Sequence, residues 1–275
     1  MIEGLKPYPK YKDSGVPRLG QVPKGWIISR LKSVCQLRYG DSLPADGREA
    51  GPVPVFGSNG VVGYHSVSNT RAPTVIIGRK GSYGKLRYSS VPSFAIDTSF
   101  FVDDSSTRSH LRWLYYLLGT LDLDHSSKDS AVPGLDRADA YERVVAAPSD
   151  FGEQLLIARF LDHAELKIRR YTAAKRTLIK LLEEEKQAII HRAVTRGLDP
   201  KSRIERTANE WFPELPSGWQ VLQLRRVIRQ AVDGPHHSPN YLDEGIPFLS
   251  ARNIRANRWI LENAKFISRV DYDEF

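Results

Sequence analysis

The pattern of hydrophobic and polar positions along this 275-residue chain changes character after Pro148. Before it, apolar residues come in short runs between glycines and prolines, and Val53–Phe56, Thr74–Ile77 and Phe94–Val102 predict strands. Leu111–Leu121 (LRWLYYLLGTL) predicts a buried helix, which makes this segment an α+β module. After it, no proline and a single glycine, Gly152, interrupt the chain before Gly197, which predicts one long helix. Asp150 with Glu153 three residues later resembles a capping box. Arg196, Gly197, Leu198 and Pro200 supply a basic last turn, a left-handed glycine, its apolar neighbour and a stop. At about 1.5 Å per residue the helix is a rod of roughly 70 Å. Within it Leu161, Ile168, Leu182 and Ile189 recur at multiples of seven, with Ala164, Tyr171 and Leu178 interleaved as in a coiled-coil seam. A lone helix in water cannot bury such a seam, so it requires a partner, and Lys175 and Glu185 on the seam would fix register or partner choice.

An internal repeat accompanies this change. Pro23-Lys-Gly-Trp26-Ile-Ile-Ser-Arg-Leu31-Lys-Ser-Val34 returns 193 residues later as Pro216-Ser-Gly-Trp219-Gln-Val-Leu-Gln-Leu224-Arg-Arg-Val227. The same offset lays Val53-Pro54-Val55-Phe56 on Ile246-Pro247-Phe248-Leu249, keeping the proline and the apolar character. The chain therefore divides into a first module over 1–149, a spacer helix over 150–197 and the first part of a second module over 198–275. Trp26 and Trp219, which recur together, are expected in the cores of the two modules.

Forty Lys and Arg against 32 Asp and Glu leave a net charge of +8, a surplus that favours polyanionic partners if it is concentrated on one surface. It is concentrated: Ala50–Ile96 contains no acid, while Arg71, Arg79, Lys80, Lys85 and Arg87 fall inside it. The same window holds Gly57-Ser-Asn-Gly60-Val-Val-Gly63 and Gly78-Arg-Lys-Gly81-Ser-Tyr-Gly84, two copies of a Gly-x-x-Gly-x-x-Gly pattern. Cations alternate there with Asn59, Tyr64, His65, Ser82, Tyr83 and Tyr88, around glycines that permit close backbone approach. Such side chains neutralise phosphates and pair with guanine or adenine edges. An ordinary basic loop on a soluble protein has the same composition. The lone Cys35 excludes a disulfide scaffold and any thiolate-built zinc or iron–sulfur site, and fits a reducing cytoplasm. The N-terminus has no signal-peptide core, and no stretch approaches the ~20 apolar residues of a membrane span.

Catalytic candidates fail on spacing. Gly78–Lys85 evokes a phosphate loop, but Arg79 stands where that motif needs its first glycine and Leu86 replaces its hydroxyl residue. Ser238-Pro239-Asn240-Tyr241 lacks the second proline of an amino-methyltransferase motif, and no glycine-rich cofactor loop precedes it. Glu184-Glu185-Lys186 lies on the long helix, with no strand to aim carboxylates at a metal. His236-His237 are adjacent, which points the rings apart.

The ordered set Pro23-x-Gly-Trp26, Gly57-Ser-Asn-Gly60, Ile77–Gly84, Ala95-Ile-Asp-Thr98, Ala131-Val-Pro-Gly-Leu135, Glu153-Gln154…Phe160-Leu161 and Ala193–Leu198, together with the half-repeat, resembles the specificity subunits of type I restriction–modification enzymes. The resemblance covers nearly the whole chain. It implies two DNA target-recognition domains, each reading half of a split sequence, set apart by long helices that pair as an antiparallel coiled coil. It implies no catalysis and no cofactor in this chain. Modification subunits use S-adenosylmethionine to methylate adenine, a restriction subunit uses ATP and magnesium, and modification subunits dock on the helices. A rod of roughly 70 Å spans about two turns of B-DNA. The residues expected at the DNA are Arg79, Lys80, Ser82, Tyr83 and Lys85 in one loop and Ser58 and Asn59 in the other, while Asp97, Thr98, Pro133 and Gly134 shape the domain.

Carried past Phe275, the offset places the end of a second helix near position 390, about 115 residues further on. Two readings follow. The chain is a half-subunit whose helices pair in a homodimer on a palindromic split site, or it is a remnant or truncated product with an incomplete second domain. Two rivals of other classes remain: a plain interaction protein acting through the helix, against which the charge placement argues, and a nuclease or methyltransferase.

Overall fold

The computed structural model describes residues 7–125, 134–231, 238–255 and 258–274. The chain forms two compact units, Met1–Leu178 and Ile179–Phe275. The first opens with β1 (Tyr11–Asp13) and β2 (Gln21–Pro23), an antiparallel pair. The strands β3 (Ile27–Arg30), β4 (Arg38–Tyr39), β5 (Val53–Gly57), β6 (Gly60–His65), β7 (Thr74–Gly78), β8 (Leu86–Ser89), β9 (Phe94–Ala95) and β10 (Ser99–Val102) follow. Helix α1 (Leu111–Gly119), the short α2 (Arg137–Tyr141), β11 (Val144–Ala147) and the long α3 (Phe151–Arg196) complete the order.

Two sheets carry the module: β4-β10-β7-β8, antiparallel throughout, and β6-β5-β9. In the second, β5 pairs antiparallel with β6 and parallel with β9. The expected strand Phe94–Val102 is two strands. Its first part pairs with β5, the chain turns through Ile96, Asp97 and Thr98 with the Ser99 amide donating to the Ile96 carbonyl at 2.9 Å, and its second part joins β7 in the other sheet. Every residue of β7 and β10 is buried, so apolar side chains occupy both faces and the run shows no alternation to mark the break.

Helix α1 lays Leu111, Trp113, Leu114 and Leu118 against Val75, Ile77, Phe100 and Val102. Each fully buried aliphatic side chain contributes about 1.5–3 kcal/mol. The His110 ring caps this helix, its Nδ1 accepting from the Trp113 amide at 3.3 Å, a role open only to the neutral imidazole. Burial lowers the His110 pKa from its ordinary 6.5 against the opposing pull of Asp162.

The long helix starts and stops within one residue of its predicted bounds. Its capping box is half made. Asp150 Oδ2 accepts from the Glu153 amide at 2.8 Å, but the Glu153 carboxylate turns away and accepts from Tyr8 OH at 2.7 Å and Trp26 Nε1 at 2.8 Å. Trp26 is therefore half-buried at the base of the helix rather than in the core, and Trp219 is 47% exposed. An indole whose N–H must keep a carboxylate partner sits at the edge of an apolar cluster, not inside it.

The second unit repeats the first at the same spacing. β12 (Ile204–Arg206) and β13 (Glu214–Pro216) stand 193 residues after β1 and β2, the 3-10 turn Leu31–Ser33 recurs at Leu224–Arg226, and β14 (Ile246–Phe248) follows the start of β5. Beyond Phe248 the units diverge. A hairpin of β15 (Ile254–Arg255) and β16 (Arg258–Trp259) intervenes before β17 (Lys265–Ile267) pairs with β14, and α4 (Arg269–Glu274) closes the described chain.

Two outcomes follow. Trp26→Phe, which keeps the ring and removes the donor to Glu153, should lower the urea stability of the first unit by about 1 kcal/mol. Because the folded-state pKa of His110 lies below its unfolded value, the cap's contribution is complete above about pH 6.5 and shrinks as pH falls from there towards the lowered value. His110→Asn, which caps without titrating, should flatten that segment of a stability-versus-pH curve.

Candidate nucleic-acid interface

The two glycine-bracketed loops expected at DNA lie against each other. Ser58 and Asn59 form the turn between β5 and β6, where Gly57 faces Gly60 across the ladder. Residues 79–85 connect β7 to β8, closed by the Gly78 amide donating to the Lys85 carbonyl and the Gly84 amide donating to the Gly78 carbonyl, both at 2.8 Å. Gly78 is where they meet. A Cβ there would stand 2.2 Å from the Ser82 carbonyl oxygen and 2.7 Å from that of Ser58, so only glycine lets the two backbones approach. Lys85 Nζ donates to Asn59 Oδ1 at 3.4 Å, and Arg87 Nη2 donates to the Asn59 carbonyl at 2.9 Å.

The longer loop is anchored from a third side. The Arg79 and Lys80 amides both donate to the Thr98 carbonyl, at 2.8 and 3.2 Å, and the Arg79 carbonyl accepts from the Leu135 amide at 2.8 Å. Lys80 forms a bridge with Gly134. Asp97 and Thr98 thus hold the loop through their carbonyls, while Pro133 lies outside the described residues.

This frame sorts the side chains. Asn59, Lys80 and Lys85 are exposed, as is Arg87; Ser58, Arg79 and Ser82 are half-buried; Tyr83 packs against the core. The Arg79 guanidinium donates to the Asp97 carbonyl at 2.7 Å and stacks over Tyr39, 4.9 Å from the ring centre. Arg137 stacks on the same ring at 4.6 Å, so a half-exposed tyrosine carries two guanidiniums. Tyr39 and Arg137 went unnoticed in the sequence because they lie far from the acid-free window and reach it only through the fold. Arg87, inside that window, had the same signal as its neighbours. The result is a surface of exposed cations and hydrogen-bonding side chains on a double turn closed by backbone hydrogen bonds.

The other candidates have the following settings. Gly78–Lys85 joins two antiparallel strands, whereas a phosphate loop joins a strand to a helix. Tyr241 lies under Lys265 Nζ, 3.7 Å from the ring centre. Glu184, Glu185 and Lys186 are exposed on α3, and His236 and His237 lie outside the described residues. Among the described residues no group of three or more His, Cys, Asp or Glu is placed to hold a metal, and no helix is long and apolar enough to cross a membrane. On the helix seam Leu161 and Ala164 are half-buried, while Ile168, Tyr171, Leu178, Leu182 and Ile189 are exposed.

No family model matches the chain, and no curated protein matches it significantly. Solved structures do. A chain from a study of complex assembly and conformational transition in the type I R-M system superposes with a TM-score of 0.53 at 21% identity, over 66% of this chain and 48% of that one. The HsdS subunit from Thermoanaerobacter tengcongensis gives 0.49 at 20% identity, over 66% and 47%. The type I restriction–modification S subunit from M. genitalium gives 0.46 at 18%, over 61% and 45%. The matched part is about half the length of each of those chains. The α+β module and long helix described above are therefore a fold shared with a chain of a type I restriction–modification system.

Proposed function

We propose that this chain is a sequence-specific DNA-recognition protein, the specificity subunit of a type I restriction–modification enzyme, and that its first unit reads one half of a bipartite target. The observation that carries this reading is the double turn at Gly78. It holds Asn59, Lys85 and Arg87 side by side, with Lys80 exposed on the same loop as Lys85, on a sequence span free of carboxylates. Lysines there neutralise phosphates, and Asn59 carries the side-chain amide that pairs with adenine edges. The shared fold supports the same reading. The chain acts without catalysis or a bound cofactor in the cytoplasm, as a DNA-binding partner of modification subunits that use S-adenosylmethionine and of a restriction subunit that uses ATP and magnesium. Modification subunits, or a second copy of the chain in a homodimer, cover the exposed seam from Leu161 to Ile189.

Duplexes selected from a random pool should bind the chain with strong salt dependence. Replacing Lys80 and Lys85 together with Ala should weaken binding and reduce the slope of log K against log salt by about 2, close to one per lost phosphate contact. An unchanged slope would move the interface elsewhere. Asn59→Ala should instead cost about 1–3 kcal/mol at one base pair of the selected motif and little on unrelated DNA. Changing Ile168 and Leu182 to Asp should abolish co-purification with the modification subunit while DNA binding by the first unit persists; loss of DNA binding would place the seam at the duplex.

A further inference from the structure

Where the first unit rests on the long helix, one arginine gathers the charged and aromatic groups around it. Arg112 leaves the first turn of α1, half-buried, with its guanidinium carbon 4.8, 4.9 and 5.0 Å from the ring centres of Tyr88, Tyr115 and Tyr116. Its Nε donates to Asp162 Oδ1 at 2.6 Å, its Nη2 donates towards the Tyr116 hydroxyl at 3.2 Å, and Nη2 stands 3.5 Å from Glu165 Oε2. The Tyr116 hydroxyl lies 2.7 Å from Asp162 Oδ1 and 3.0 Å from Glu165 Oε2, and Glu165 is paired in addition with Arg169. A planar guanidinium fits this place where an ammonium does not, since it bonds carboxylates in its plane while its faces stack on rings.

The position of this cluster along the helix matters. Among the described residues, the other polar ties between module and helix lie in its first turn: Glu153 accepts from Tyr8 and Trp26, and Gln154 accepts from the His110 amide at 2.7 Å. Asp162 and Glu165 lie about 12–18 Å further along. A rod tied at one end can pivot; a second tie removes the pivot. A tilt of about 10° at the base, carried along roughly 70 Å, moves the far end by about 12 Å, or three to four base pairs.

We propose that Arg112 is the positioning residue that fixes the angle of the DNA-reading module on the long helix, and thereby the separation at which a split target is read. The first half rests on the geometry of this unit; the second rests on the DNA-recognition reading above.

The test uses cysteines placed at exposed Val67 and at exposed Ala173, off the seam, and spin-labelled, with the distance distribution between them measured by pulsed electron resonance. Native Cys35 stays unlabelled, being buried with its thiol pushed up to about 12. The parent chain should give one narrow distribution. Arg112→Met should at least double its width while far-UV circular dichroism is unchanged, with Arg112→Lys in between. A width equal to that of the parent overturns the proposal. Should Arg112→Met fail to fold, Tyr116→Phe and Asp162→Asn carry the same test, because each removes one link of the network. In the assembly with the modification subunit, inserting or deleting one base pair in the spacer should reduce methylation of the selected target at least tenfold for the parent and less than threefold for Arg112→Met. Retained spacer discrimination in a variant with a widened distribution overturns the link to target separation. A parent chain that binds no DNA overturns the DNA-recognition reading instead, and the distance distribution still decides whether Arg112 sets the angle.

Discussion

The joint between the strand module and the long helix rests on a buried side-chain amide. Of the 46 residues in α3, only Gln154 and Ala158 are buried. A buried amide is costly unless both of its ends are satisfied, and Gln154 satisfies both across three segments. Its Nε2 donates to the Pro148 carbonyl at the exit of β11, and its Oε1 accepts from the His110 amide at the entry to α1. One side chain thus fixes where the last strand stops, where the packing helix starts and where the spacer helix begins. The His110 cap, the lean of α1 on the sheet and the reach of Arg112 to Asp162 all presuppose that registration.

The two glycine-bracketed loops follow a different logic. They contain few apolar atoms, and their order comes from backbone groups meeting at Gly78 and from carbonyls of the Asp97-Thr98 turn. That turn exists because the chain leaves one sheet at Ala95 and enters the other at Ser99. The crossing between sheets therefore supplies the acceptors that hold the cationic loop, and Arg79 spends part of its own hydrogen-bonding capacity on the Asp97 carbonyl to keep it there. Lys80, Lys85 and Arg87 stay exposed, although Lys85 and Arg87 also tie the longer loop to Asn59.

What could be read from the sequence was whatever depends on neighbours along the chain. The long helix declared itself by an absence of breakers and by its glycine stop, and the two turns by their glycines. The break between β9 and β10 did not, because both segments are apolar on both faces and period-two alternation vanishes there. Nor did the departure of Glu153 from its capping box, since a carboxylate that can reach back to its own helix can also reach an indole supplied 127 residues earlier. The Tyr39 stack and the Arg112 cluster were hidden for the same reason: each joins residues that only the fold brings together. The seam residues stood out by their heptad spacing, but that spacing states the need for a partner without naming one.

The repeat separates these two kinds of information within one molecule. Leu31 and Leu224 occupy matching positions and begin the same 3-10 turn, each with its amide-closing bond to the third residue on: Val34 to Leu31 and Val227 to Leu224, both at 2.9 Å. Leu31 is fully buried and Leu224 is 67% exposed. The turn is therefore a property of the local sequence, closed by its own backbone hydrogen bond, and it forms whether or not a sheet covers it. Burial is supplied in the first unit by β7, β10, α1 and β11, which the second unit lacks among its described residues. A segment that folds locally but is buried only by distant strands contributes stability in the first unit and an exposed apolar surface in the second. The repeated motif therefore adds to folding energy in the first unit only because the sheet and helix core covers it, as the burial of Leu31 there shows.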